Sequence, residues 1–266
     1  MGAESHLEDL APEEMLDEMK ACGVRNVFNL VFPLSEEETE GINIWSKEIG
    51  DRFDNVIPFG SMHIETRRKD EVAERCMSEY SLAGFKFHPH AQGFELFSQP
   101  FEPFFRKLDE LKGPVIVHTG FDALYGRSTD LEYLRGVLER YPDIVIALAH
   151  SLFPKFRLAY EMMGEYPHLY ADMTYVIPFL KHFKEASKED LVAFPEDPEE
   201  VLANIDYFDA LLQDHSERIM LGTDYPVGFG SPSRIYEEFL AFGLGEDIKA
   251  NLLRNTARRF VREPVH

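Results

Sequence analysis

The chain has 266 residues, 44% of them apolar, enough for one large core. Its 48 acidic and 27 basic residues leave a formal charge of -21, which excludes the basic footprint that nucleic acid or an anionic membrane demands of a partner. No apolar run approaches the ~20 residues of a membrane span. The opening MGAESHLEDL has no apolar stretch of the signal-peptide kind, and two isolated cysteines, Cys22 and Cys76, point to a reduced, cytoplasmic protein.

In APEEMLDEMKACG, Pro12 suits a helix start, Met15, Leu16 and Met19 share one face, and Gly23 ends the helix. A strand is expected over 24–32, a helix over 37–50, a strand over 56–62, a helix over 68–80 and a strand over 84–88. A helix over 103–111 leads to the strand 114–118, with β-branched Val115, Ile116 and Val117. Asp130 can cap a helix striped with Leu131, Leu134 and Leu138, and a strand over 144–150 follows. A short helix over 155–164 precedes a strand over 169–173. An acidic helical stretch covers roughly 179–214, the last strand is 219–224, and two helices close the sequence.

Repeated strand–helix units imply parallel strands covered by helices. No Gly/Ser-rich linker divides residues 1–266, so a single domain is expected. The expected fold class is α/β, a (β/α)8 barrel, whose usual length is about 250 residues. The first element is a helix, which reads as the first crossover of a barrel whose opening strand is missing.

Polar residues of one chemical family collect at the strand ends. GFKFHPH carries Lys86, His88 and His90, VIVHTG carries His118, IALAHS carries His150, LYADMT carries Asp172 and MLGTDYP carries Asp224. In a barrel these ends form one rim, where active sites sit. Imidazole and carboxylate suit a divalent ion such as zinc, which lowers the pKa of bound water to roughly 7, and a nearby carboxylate can take the water proton. Gly120 lets the chain turn away from the rim without crowding it. Phe94, Phe97, Phe101, Phe104 and Phe105 read as helix packing.

Together GFKFHP, VIVHTG, IALAHS, MLGTDYP and the closing LLRNTARRF resemble the amidohydrolase superfamily, in particular the amidohydrolase-2 group that includes aminocarboxymuconate-semialdehyde decarboxylase. The resemblance implies a metal-bearing barrel with a divalent metal, zinc foremost. His118 matches a metal ligand. His150 matches a ligand in binuclear members and a catalytic, substrate-polarising group in mononuclear ones. Asp224 matches the ligand that doubles as general base. Lys86 falls where some members carry a carboxylated lysine between two metals, the alternative being an ion pair with a neighbouring acid in the barrel mouth. Arg127, on the loop after His118, is a candidate for holding a substrate carboxylate, with His88 and Tyr225 also near the pocket.

The family's HxH motif at the end of the first strand is absent, and His6 is the only histidine before His63. The chain is therefore expected to start just past that strand, the alternative being a barrel that has lost half its metal site. The leading functional expectation is a metal-dependent hydrolase of an amide, ester or lactone-like bond. Non-oxidative decarboxylation of an unsaturated or aromatic acid is the second, and a metal-free binding or scaffold barrel the third. A small-molecule substrate and a homodimer are the expected partners.

Overall fold

Among the described residues seven parallel strands form where the alternation of apolar runs and helices places them. The computed structural model describes residues 10–120, 129–174, 176–177, 198–227 and 231–262. The elements are α1 Pro12–Ala21, β1 Val27–Asn29, α2 Thr39–Arg52, β2 Val56–Pro58, α3 Lys69–Ser78, β3 Phe85–Phe87, the short α4 Pro89–Gln92, α5 Glu102–Leu111 and β4 Pro114–His118. They continue with α6 Leu131–Arg140, β5 Val145–Ala149, α7 Phe156–Glu165, β6 Leu169–Asp172, α8 Pro198–His215, β7 Ile219–Met220 and α9 Pro232–Leu240. Last come α10 Glu246–Ala250, a π-helical turn Asn251–Asn255 and α11 Thr256–Phe260.

The strands stand in sequence order. β1 pairs with β2, and β3 to β7 form a five-stranded sheet. Gly60 joins the two, donating its N–H to Gly84 O and accepting from Lys86 N. Parallel order with helices between the strands is the (β/α) barrel arrangement. Among the described residues β7 and β1 do not pair, so the barrel is open at one seam. Just past β7 the Leu221 N–H donates to Leu252 O in the π turn, 2.8 Å away, so a helical segment occupies that edge.

Side chains alternate between two cores, as the period of two in a strand requires. Val115, Val117, Ile146, Leu148, Leu169 and Ala171 face the layer under the helices. Ile116, Val145, Ala147, Ala149 and Met220 face the barrel interior, where Phe59 and Phe260 join them. The ring of Phe260, from α11, stands 6.4 Å from Phe28 and 5.4 Å from Tyr170. It closes the floor at the N-terminal strand ends. The outer layer is built around α5, whose Phe104 and Phe105 are fully buried beside Phe101, Phe94 and Phe97, so the phenylalanine run is packing, as expected. Asp130 caps α6, accepting from the N–H groups of Glu132 and Tyr133, both at 3.1 Å.

Candidate active site

Interior alternation delivers most of the site. In β3, Phe85 and Phe87 face the outer layer, so Lys86 points inward, and His88 two residues later shares its side. In β4 the inward positions are Ile116 and then His118, and in β6 they are Tyr170 and then Asp172. Lys86 is 8% exposed and Asp172 8%, although both carry charge.

His150 breaks this rule. Val145, Ala147 and Ala149 face inward, so the next residue of a continued strand would face the helices. Instead β5 stops at Ala149, and His150, Ser151 and Leu152 take left-handed conformations with φ of 59°, 52° and 56°. The imidazole turns back into the mouth and is 5% exposed. Gly120 makes room for it. A Cβ there would stand 2.7 Å from His150 Cβ, closer than packed carbons approach.

Four imidazoles gather at the mouth. The rings of His88 and His118 stack at 3.6 Å and 13°. His150 lies edge-on to His118 at 4.6 Å, and His90 does so at 5.5 Å. His118 Nδ1 and His150 Nε2 are 3.1 Å apart. The outer nitrogens meet main-chain oxygens, His118 Nε2 at Gly120 O (3.0 Å) and His150 Nδ1 at Thr174 O (2.8 Å). A carbonyl only accepts, so those two nitrogens carry the hydrogens. The facing pair, Nδ1 of His118 and Nε2 of His150, then has room for one further proton between them, and taking it makes the couple a monocation.

Burial acts on Lys86, His88 and His118. It pushes Lys86 below the ordinary lysine range, opposed by the carboxylates of Asp172 and Asp224. Burial first, and then Lys86 and the other imidazoles, pulls His88 down to about 3. Burial, followed by His150, Lys86, His88 and His90, depresses His118 as well. A proton on the His88 or His118 ring is therefore disfavoured.

The structure brings together Lys86, His88, His118 and His150 of the expected set. Asp224 lies within electrostatic reach of Lys86 but stands exposed, on a left-handed residue with φ of 54°. Asp172 and Asp224 are the two carboxylates that act electrostatically on Lys86. The hydroxyl of Tyr225 donates to Glu18 Oε2 in α1 at 2.6 Å, so that group is engaged with the first helix. Arg127 lies outside the described residues.

Asp172 was visible in the sequence as a polar strand end, yet nothing there gave it a partner. Its Oδ1 accepts the backbone N–H groups of His150 and Thr174, both at 3.0 Å. Gln92 was not singled out. It is buried, accepts from His88 N (2.9 Å) and donates to Pro33 O (2.9 Å), tying the loop after β1 to the mouth. The contacts of Asp172 with His150 and of Gln92 with Pro33 join segments remote in sequence and leave no local pattern.

Imidazole and carboxylate are the right donor types for a divalent metal, but the arrangement does not fit one. Both nitrogens of His118 and of His150 are committed to carbonyls or to each other, and Asp224 sits on the exposed turn. Among the described residues no three His, Cys, Asp or Glu side chains could together hold a metal ion. The zinc trio His118, His150 and Asp224 expected from the sequence is thus not assembled. Among the described residues, no helix is long and apolar enough to cross a membrane.

Comparison with known proteins agrees with this architecture. The 5-carboxyvanillate decarboxylase of Sphingomonas paucimobilis superposes with a TM-score of 0.66 at 17% identity, over 96% of this chain and 83% of that one. A 5-carboxyvanillate decarboxylase of Novosphingobium aromaticivorans, complexed with manganese and 4-hydroxy-3-methoxy-5-nitrobenzoic acid, gives 0.66 at 16%, over 96% and 80%. A Pseudomonas putida protein described as a candidate 2-pyrone-4,6-dicarboxylic acid hydrolase gives 0.63 at 18%, over 97% and 89%. At such identities these likenesses establish the fold. No curated protein sequence matches. The sequence model of the amidohydrolase family, in its second subgroup, matches residues 42–262, most of the chain, and the protein therefore belongs to that family.

Proposed function

We propose that the chain acts at the barrel mouth on a small, carboxylated ring compound and removes the carboxylate as CO₂ without oxidation. The observation that carries this reading is the inward-facing group of one buried lysine and a linked imidazole couple at one strand-end rim. The lysine ammonium attracts an anionic substrate, and in a buried setting that attraction is much stronger than in water. The facing nitrogens of His118 and His150, 3.1 Å apart, can share one proton between them. The anion's own charge favours uptake of that proton as the substrate binds.

The proton adds to the ring carbon that bears the carboxylate. The bond from that carbon to the carboxyl group then breaks, its electron pair returns to the ring, and CO₂ leaves. The net reaction consumes one proton and no water. The likeness to two aromatic-acid decarboxylases supports this reading.

The hydrolase expectation is kept as a second reading, because the Pseudomonas putida neighbour is described as acting on a dicarboxylated pyrone ring. Both readings share a carboxylated ring as substrate and differ in whether water is consumed.

The test is a panel of hydroxylated benzoates and pyrone carboxylates, with CO₂ and acid release followed separately. Stoichiometric CO₂ with net proton uptake supports decarboxylation. Proton release without CO₂ selects hydrolysis. Failure of the whole panel, with the protein folded and supplied with manganese or zinc, would overturn both.

A further inference from the structure

His150 is in the mouth against the direction its strand gives it. A left-handed conformation costs a residue without glycine's freedom roughly 1–2 kcal/mol, and here three such residues follow one another. Something must hold the turn.

We propose that Asp172 is the positioning residue that turns His150 into the barrel mouth and fixes which ring nitrogen it presents to His118. One carboxylate oxygen, Oδ1, accepts both the His150 and the Thr174 backbone N–H, each at 3.0 Å. The carbonyl of the same Thr174 receives His150 Nδ1 at 2.8 Å. A single acceptor thus anchors the main chain of His150 at one end and the partner of its ring at the other. With Nδ1–H committed to Thr174 O, Nε2 is the nitrogen left to face His118.

Two further contacts stiffen the clamp. Ser151 Oγ donates to the main-chain oxygen of Asp172 at 2.6 Å. Thr174 is pressed from the other side by the end of β7, where a Cβ on Gly222 would stand 2.1 Å from Thr174 Oγ1. Amide contacts to a carboxylate oxygen are stronger than those to a neutral acceptor. Without an acceptor at residue 172, the His150 N–H loses its partner in a buried position, and the easier course is a continued strand with the imidazole turned to the outer layer.

The role concerns geometry and holds for either reaction. Only its kinetic consequence rests on the reading of the mouth as the reacting centre. The first arm of the test therefore needs no substrate. In ¹⁵N-histidine-labelled full-length protein at fixed pH, His150 is expected to show the Nδ1–H form. Asp172→Asn, which keeps an oxygen acceptor, should retain that signature. Asp172→Ala should lose it and exchange the His150 amide with solvent roughly tenfold faster or more, the factor that loss of a charge-assisted hydrogen bond carries.

An alanine variant that keeps both the tautomer and the amide protection would overturn the proposal, as would an asparagine variant that loses them as fully as alanine does. Should the alanine variant not fold, the unaltered protein decides. Its His150 and Thr174 amides must both be protected, and rapid exchange of either sinks the idea. The second arm uses whichever substrate is turned over. Alanine should lower kcat with KM little changed, and asparagine should restore most of it. Equal loss in the two variants overturns positioning. Absence of turnover in the unaltered protein counts against the proposed reaction and leaves the ring and amide results standing.

Discussion

At the scale of single residues, the mouth is a place where neutral bases are kept out of water. His88, pulled down to about 3 by burial and by its cationic and imidazole neighbours, stays uncharged in the folded protein under conditions where an unfolded chain would protonate it. The folded pKa is depressed, so the stability tied to His88 is present above the unfolded value of about 6.5 and is lost as pH falls towards 3. Melting temperature is accordingly expected to drop below pH 6.5, and His88→Phe should flatten that drop. A profile identical to the parent's would show that the imidazole is not the cause. Gly120 offers the complementary test. Gly120→Ala places a carbon against His150 and should push that ring off His118, with at least a tenfold loss of turnover. A crystal structure of the variant with the 3.1 Å nitrogen contact intact would contradict this.

Among the elements, caps and strand interiors follow local rules and behave as the sequence says. Asp130 is one case, and Asp130→Ala is expected to cost about 1 kcal/mol in chemical denaturation through loss of its two N–H contacts. The inward positions Lys86, His118 and Asp172 were likewise legible, because alternation from Phe85, Val117 and Ala171 places them. What could not be read is anything set by a distant partner. The strand expected through His150 ends at Ala149, because the turn that follows depends on a carboxylate on the next strand. The strand expected over 24–32 is only Val27–Asn29, and the one expected over 219–224 is only Ile219–Met220. Both border the open seam, and a strand with one paired edge is hard to keep long. The orientation of the ring nitrogens was out of reach for a related reason. Strand ends show which residues reach the rim, while the direction of each ring nitrogen is set by carbonyls such as those of Gly120 and Thr174, which no spacing reveals.

For the molecule as a whole, the seam and the donor arrangement give two expectations. Protein dialysed after loading with zinc or manganese should retain well below one equivalent by elemental analysis. One equivalent surviving dialysis would mean that residues outside the described set complete the donors. At the seam, Phe28, Leu30, Val31 and Phe32 are only partly buried, whereas β3 and β5 are fully buried. A second copy covering this apolar edge is the expected remedy, detectable as a dimer by light scattering at micromolar concentration. A monomer across that range would rule it out.

The sequence-ordered ladder of strands also says something about how the chain comes to be folded. From β4 to β7 each strand hydrogen-bonds to the one just before it, so during synthesis each of these strands finds its partner already made. The sheet can grow from one end without waiting for distant segments. The exception is Phe260, near the end of the described chain, which packs against Phe28 near its start. That contact joins segments far apart in sequence and cannot form before residue 260 has been made, so the floor of the barrel is set only after the helix carrying Phe260 has left the ribosome.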